Sequence, residues 1–525
     1  MQNSTATPTP ASRPAPTPQR TEPPRVPTSS LQPLKPELFG FEEARHLLMR
    51  AGFGGSPDQI QLLTRWGLKK SVDYLVDYDD IKYAGDADVR SDIMREPTVE
   101  ERQEYRQAQA RRDEDALARL RLMRQRAQQV DREQMREIQN WWLTRMIETP
   151  RPLQEKLTLL WHGHFATSYR TIENSYHMLM QNNFLRKNAA GNFGDLLGGI
   201  IRDPAMLAYL NNNNSRKDRP NENLARELME LFSLGVGNYS EDDIKQGARA
   251  LTGYTFDGNE FVFQQRNHDT GGKTILGVKG NHNGDDFVKI ILQKRECARF
   301  IAGKLYKHFV NDFPSGRPAF DKVAQGVVDD LARTLSGGRY ELRPVLKRLF
   351  MSQHFYDPLV RGEQIKSPVQ LIVGAVRQLK TPVRDLSVLN DAAERMGQEL
   401  FFPPSVKGWD GGRAWINTST MFVRQNIMVF LLTGRRPIGR DALADQERFE
   451  PGKLLTQLAD AYPAVNGGDS TAVLDAMLRF MLGRTNPAGR AALEDFMRSR
   501  TGKLDDEGMT QLCMLITSMP EYQLC

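Results

Sequence analysis

The sequence predicts an all-α protein, a multi-helix globular fold with one small inset β-hairpin near residues 253–277 and a disordered N-terminal tail. Three observations predict it. Apolar residues recur three and four apart through most of the chain after residue 36, caps and breakers bracket those runs, and strand-like patterning is confined to 253–277.

Residues 1–35 alternate Pro with Thr, Ser and Ala, a composition with too little apolar surface to offset the entropy of ordering, and are expected to form the tail. Phe41, Ala44, Leu47 and Leu48 then fall at helical spacing, and Gly52 and Gly54 end the run. Ser56 before Pro57, with Gln59 at the reciprocal capping position, opens two short helices at about 57–65 and 69–77. Residues 98–148 are rich in Glu, Arg, Gln and Ala, with apolar pairs three apart such as Leu117 and Leu120, and are expected to form one long helix or a hairpin of two. This segment is expected to pack along one edge; the alternative is a protruding coiled-coil arm for a partner.

Further helices are expected at about 152–165, 173–187, 193–201, 220–234 and 241–252, the fourth opened by Pro220 and closed by Gly235. Asp257 and Gly258 mark a turn between two β-prone runs, and a third short run follows at 273–276. Helices resume at about 286–311, 319–334, 342–353, 367–378 and 387–399; an aromatic loop at 401–420 and four more helices complete the chain. The division expected is a main helical domain over 36–440 and a C-terminal helical subdomain, 441–525, packed on it.

Several function classes find no support. The 525 residues hold 71 basic and 65 acidic side chains, a formal excess of +6 that is too small to point to nucleic acid. Cys297, Cys513 and Cys525 have neither disulfide nor zinc-like spacing. No apolar window is long enough for a membrane span, and the mean hydropathy is −0.54. Lys273 lacks the context of a phosphate loop, and no nucleophile elbow is present.

The candidate chemistry lies in three places. His162 and His164 in WHGHF, with Glu227 and His268, offer imidazole and carboxylate ligands for a divalent transition metal such as zinc or manganese. Glu227, Glu230 and Asp269 are the acid–base candidates beside them, although a continuous helix would aim the two WHGHF rings about 200° apart. Arg216, Lys217 and Arg219 precede the expected Pro220 helix and could assist an anion at its N-terminus, unless they form only a solvated loop. Trp409 and Trp415 sit among Gly and Pro, where their rings either stack on a sugar or plug the core with each N–H bonded to a carbonyl.

RAGFGG at 50–55, LTLLWHGHFATS at 157–168, PNENLARELMELFSLGVGNYSEDDI at 220–244 and ARALTGY at 248–254 recur in one order with HDTGGKTILG at 268–277, SPVQLIVGAVRQL at 367–379 and MGQELFFPPSVKGWDGGRAWINTS at 396–419. Together they resemble the bacterial family catalogued as domain of unknown function 1800, over about residues 40–520. The resemblance implies a helical protein whose gene commonly neighbours one for a sulfatase-like family, and it brings no activity. Many relatives look exported, whereas residues 1–30 here lack the apolar stretch of a secretory signal, so the default expectation is cytoplasmic. The function expected is an accessory or binding protein working with the sulfatase-like partner, taking a polysaccharide-type ligand through the 401–420 loop. The alternative is a metal-dependent hydrolase built on the His, Glu and Asp residues above.

Overall fold

A computed structural model describes residues 26–86, 97–312, 314–435, 449–483, 485–500 and 504–525, and within them lie 22 α-helices and two antiparallel two-stranded sheets. The first helix, Phe41–Ala51, buries Ala44, Leu47 and Leu48. Gly67, at φ 74° and ψ 172°, breaks Pro57–Val76 into the two short helices read from the sequence, and Gln59 Oε1 accepts the Ser56 N–H at 3.2 Å.

Residues 26–35 do not behave as tail. Leu31 and Leu34 are buried, Pro33 bridges to Ser352, and the Thr28 N–H donates to Asp357 Oδ2 at 2.8 Å. Two leucines within the Pro-rich stretch find apolar cover, so the body begins before Pro36. Residues 1–25, the rest of the expected tail, lie outside the described residues.

The 98–148 segment is a hairpin of unequal arms, Val99–Arg111 and Glu114–Glu148, turned by Arg112 in the left-handed region at φ 51°. Its second arm is buried from Asp131 onward, where the carboxylate accepts from Tyr169 Oη at 2.6 Å and Ser175 Oγ at 2.6 Å. Before that point only Ala108, Ala116 and Leu117 are buried, against one another. The segment therefore protrudes over its first half, because its apolar residues there are too few to cover a stripe.

The inset contains two hairpins rather than one. Strands β1 (Tyr254–Asp257) and β2 (Glu260–Phe263) turn at Gly258, φ 60°, as the Asp-Gly signal predicts. Strands β3 (Lys273–Ile275) and β4 (Val278–Gly280) pair across Leu276 and Gly277, both at positive φ; three-residue strands are too short to show alternation in a sequence. The expected 286–311 helix is split into Gly284–Leu292 and Arg295–Phe309, and five helices among the described residues, not four, follow residue 417.

One contiguous core runs from Leu31 to Tyr522 and includes Leu454, Leu474 and Leu512 of the C-terminal helices. The expected boundary at 440 falls in a stretch outside the described residues. Buried arginines tie helix ends to this core. Arg50 donates to the carbonyls of Phe309 and Val310 at 2.9 and 3.2 Å, and Arg377 to those of Ile147 and Thr149 at 2.7 and 3.1 Å. Each guanidinium thus satisfies carbonyls that a helix C-terminus leaves free. Among the described residues, no helix is long and apolar enough to cross a membrane.

Candidate functional site

The helix Pro152–His164 runs through both WHGHF histidines, so Gly163 does not break it and the two rings diverge. The buried His162 ring packs on Trp142, Phe401 and Trp409, and its Nε2 accepts the Phe401 N–H at 3.1 Å. His164 Nε2 donates to the Phe232 carbonyl at 3.0 Å. Burial pushes both imidazoles down to about 3, so each is neutral near pH 7.

The remaining acidic and histidine candidates are held elsewhere. His268 donates from Nδ1 to the Thr252 carbonyl at 2.9 Å, and Asp269 takes a bidentate pair from Arg249 at 2.7 and 3.1 Å that holds its carboxyl below the usual range. Glu230 accepts from Tyr239 Oη at 2.6 Å. Burial and the adjacent Glu230 push the Glu227 carboxyl up. Among the described residues, no group of three or more His, Cys, Asp and Glu is placed to hold a metal ion. The ligand set His162, His164, Glu227 and His268 is therefore not assembled, because each imidazole spends a ring nitrogen on a backbone group of a different segment.

Arg216, Lys217 and Arg219 are exposed on a tight turn, with Arg216 bridged to Arg219 and the Lys217 N–H bonded to the Asn267 carbonyl at 2.8 Å. The helix that follows begins at Asn223, not Pro220, and its first N–H is taken by Asn221 Oδ1 at 2.9 Å. A side chain thus occupies a donor that the anion reading needed.

Trp409 and Trp415 instead lie in a cleft of about 320 Å³ with Lys156, His164, Lys304, Lys307, His308 and Lys407. Close packing of two glycines builds its wall. A Cβ on Gly408, φ 77°, would stand 2.0 Å from the Gly163 carbonyl oxygen, so the loop closes onto the WHGHF helix only with glycine there. The helix Arg295–Phe309, its end held by Arg50, supplies Lys304, Lys307 and His308 from its last two turns.

The electrostatics of this cleft are one-sided. Four lysines face it against Asp312 and Asp410, and none of the four makes an ion pair among the described residues. Burial pushes the Lys156 amine down to about 7, with Arg50 pushing the same way and Cys525 opposing. Burial also lowers Lys304, aided by Lys307. His164 Nδ1 and His308 Nε2 are buried without hydrogen-bond partners. The two tryptophans add unspent donors. Trp142 and Trp161, in the core, bond Glu155 and the Ala189 carbonyl at 2.8 Å each, whereas the indole N–H groups of Trp409 and Trp415 find no partner among the described residues.

Sequence reasoning found the tryptophans and missed the lysines. Their signal was present: Lys156 interrupts an apolar helix, and Leu160 and Gly163 share its face at i+4 and i+7; Lys304, Lys307 and His308 form another i, i+3, i+4 set.

Fold and site together define a helical protein with a basic, tryptophan-lined cleft. The chain belongs to the family described as "Protein of unknown function (DUF1800)", whose model matches residues 46–524. No curated protein and no solved structure matches it.

Proposed function

We propose that the chain is a binding protein whose cleft takes an anionic, ring-bearing ligand, a sulfated or otherwise acidic polysaccharide, and that it works beside a sulfatase-like partner. The observation that carries this reading is the pairing of four lysines lacking carboxylate partners with two tryptophans lacking hydrogen-bond partners in one cleft. Ammonium groups suit sulfate or carboxylate substituents, and a flat indole suits the apolar face of a sugar ring. The partner half is supported by the protruding arm, which exposes Leu122, Met123 and Val130.

Calorimetric titration with dextran sulfate and with uncharged dextran tests the ligand. Dextran sulfate is expected to bind with an affinity that falls as salt rises, and dextran is expected not to bind. Lys407→Gln and Trp409→Ala are each expected to weaken binding by about tenfold, near the 1.4 kcal/mol of one such contact. Equal binding of both polymers, or no effect of either variant, overturns the reading.

One observation favours a second reading, hydrolysis at a carboxyl outside the cleft lining but near Lys407. The raised Glu227 carboxyl is within electrostatic reach of Lys407 and has the character of a general acid. Release of sugar or sulfate that Glu227→Gln abolishes would establish it.

A further inference from the structure

A second concavity, remote in sequence from the lysine cleft, lies between the first helix and the C-terminal helices. It encloses about 240 Å³ and is lined by Arg45, Arg361, Arg479 and Arg490 against the acids Glu42 and Asp475. Three of these arginines are already engaged. Arg361 donates to the Tyr356 carbonyl at 2.8 Å and to Glu43 Oε1 at 2.7 Å; Arg490 pairs with Asp475 at 2.6 Å and Glu494 at 2.8 Å; Arg479 lies 5.9 Å from the Tyr462 ring.

Arg45 differs. It is only 8% exposed, its Nε is buried without a partner, and it makes no ion pair among the described residues. One Nη passes within 3.3 Å of where a Cβ on Gly483 would stand, which places the fork against the wall that closes the concavity. Burial pushes its pKa down to about 10, with Glu42 the leading opposing influence. A guanidinium carries only donors, and a buried Nε–H left without a partner is unfavourable. Its planar fork matches two oxygens of a tetrahedral anion.

The geometry points to an oxyanion site in this concavity, with Arg45 as the buried fork and Arg479 as the rim residue, that takes a phosphate or sulfate group. The group is either a free ion or the terminus of a small ester. The site is separate from the lysine cleft and does not depend on the function proposed for that cleft.

The test is calorimetric titration of the full chain with inorganic phosphate, sulfate and phenyl phosphate, at an ionic strength held constant with chloride. Saturable binding of phosphate or sulfate alone assigns a free ion, and tighter binding of phenyl phosphate assigns an ester terminus. Arg45→Met is expected to weaken binding by at least about tenfold, and Arg45→Lys less, because an ammonium keeps charge without the fork. Lys279→Gln, an exposed lysine that lines neither cleft, is expected to leave this binding unchanged. Should Arg45→Met fail to fold, Arg479→Gln on the exposed rim carries the test, with a weakening of several-fold expected. Absence of saturable binding by all three anions, or undiminished binding in whichever of these two variants folds, overturns the site.

Discussion

Ligand binding in the lysine cleft is expected to be coupled to proton uptake by Lys156. In the free protein its amine titrates near 7, because it is buried without a carboxylate, against 10.5 for an ordinary lysine. A bound sulfate or carboxylate supplies the missing negative charge and raises that value toward the ordinary one. Between pH 7 and 9 the protonated fraction of free Lys156 falls from about one half to about one in a hundred. Binding that needs the ammonium therefore weakens by about fiftyfold over that range, or about 2.3 kcal/mol, if the bound form regains its full ordinary value. Dextran sulfate is the suitable probe, since its own charge is constant across this range. Titrations in two buffers of different ionisation heat should show proton uptake near pH 8 that vanishes in Lys156→Met, whose affinity is lower at pH 7 and flat with pH. A wild-type affinity constant from pH 7 to 9, or a pH profile retained in Lys156→Met, would refute the reasoning.

Three further outcomes are expected. His162 and His164 fold with values near 3 instead of 6.5, so the unfolded chain binds more protons below pH 6.5 and stability falls on acidification; the loss reaches roughly 1.5–2 kcal/mol per histidine by pH 5. Asp203, raised to about 7 by burial, works in the opposite direction over this window, so the measurement is the difference in the pH dependence of the urea-unfolding free energy between wild type and the double variant His162→Gln plus His164→Gln. Glu155, fully buried, pairs with both Arg145 and Arg186, at 2.5 and 2.7 Å; Glu155→Gln removes the one carboxylate they share and should lower stability by about 3–5 kcal/mol in denaturant unfolding. Gly408→Ala should distort the cleft, raising the accessibility of Trp409 to acrylamide quenching, because its Cβ meets the Gly163 carbonyl; a quenching constant equal to wild type would show that the two backbones do not touch.

Helix existence was legible because periodicity, caps and breakers agreed. Ser240 and Asp243, a Ser-x-x-Asp pair of the capping-box kind, bond each other at 2.9 and 3.2 Å. What escaped were features set by tertiary cover: Leu31 and Leu34 ordering a Pro-rich stretch, and the first half of the 98–148 segment, too polar to lie along the body. The site divided along the same line. Trp409 and Trp415 announced themselves as large rings among glycines, whereas Lys156 was hidden because a single lysine in an apolar helix reads as a snorkelling surface residue. The histidines misled for a complementary reason. Imidazole satisfies backbone groups as readily as it ligates metal, and only the partner found across the fold, Phe401 for His162 and Phe232 for His164, decides between the two.

Two adjacent residues of one helix show why the unpaired cations mark the cleft. Glu155 and Lys156 are both buried, and about 100° of helical rotation separates them. On one side the interior brings two guanidiniums and an indole N–H to the carboxylate, so this fold can neutralise a buried charge completely where the charge is structural. On the other side no carboxylate reaches the amine, although Asp312 and Asp410 border the same cleft. An unpaired ammonium costs stability at every pH below its own titration, and a methionine there would remove that cost. Lys304 repeats the pattern from a different helix. Two lysines left unneutralised beside tryptophans with unspent donors are consistent with an anion that arrives from solution, which is what the dextran sulfate titration measures.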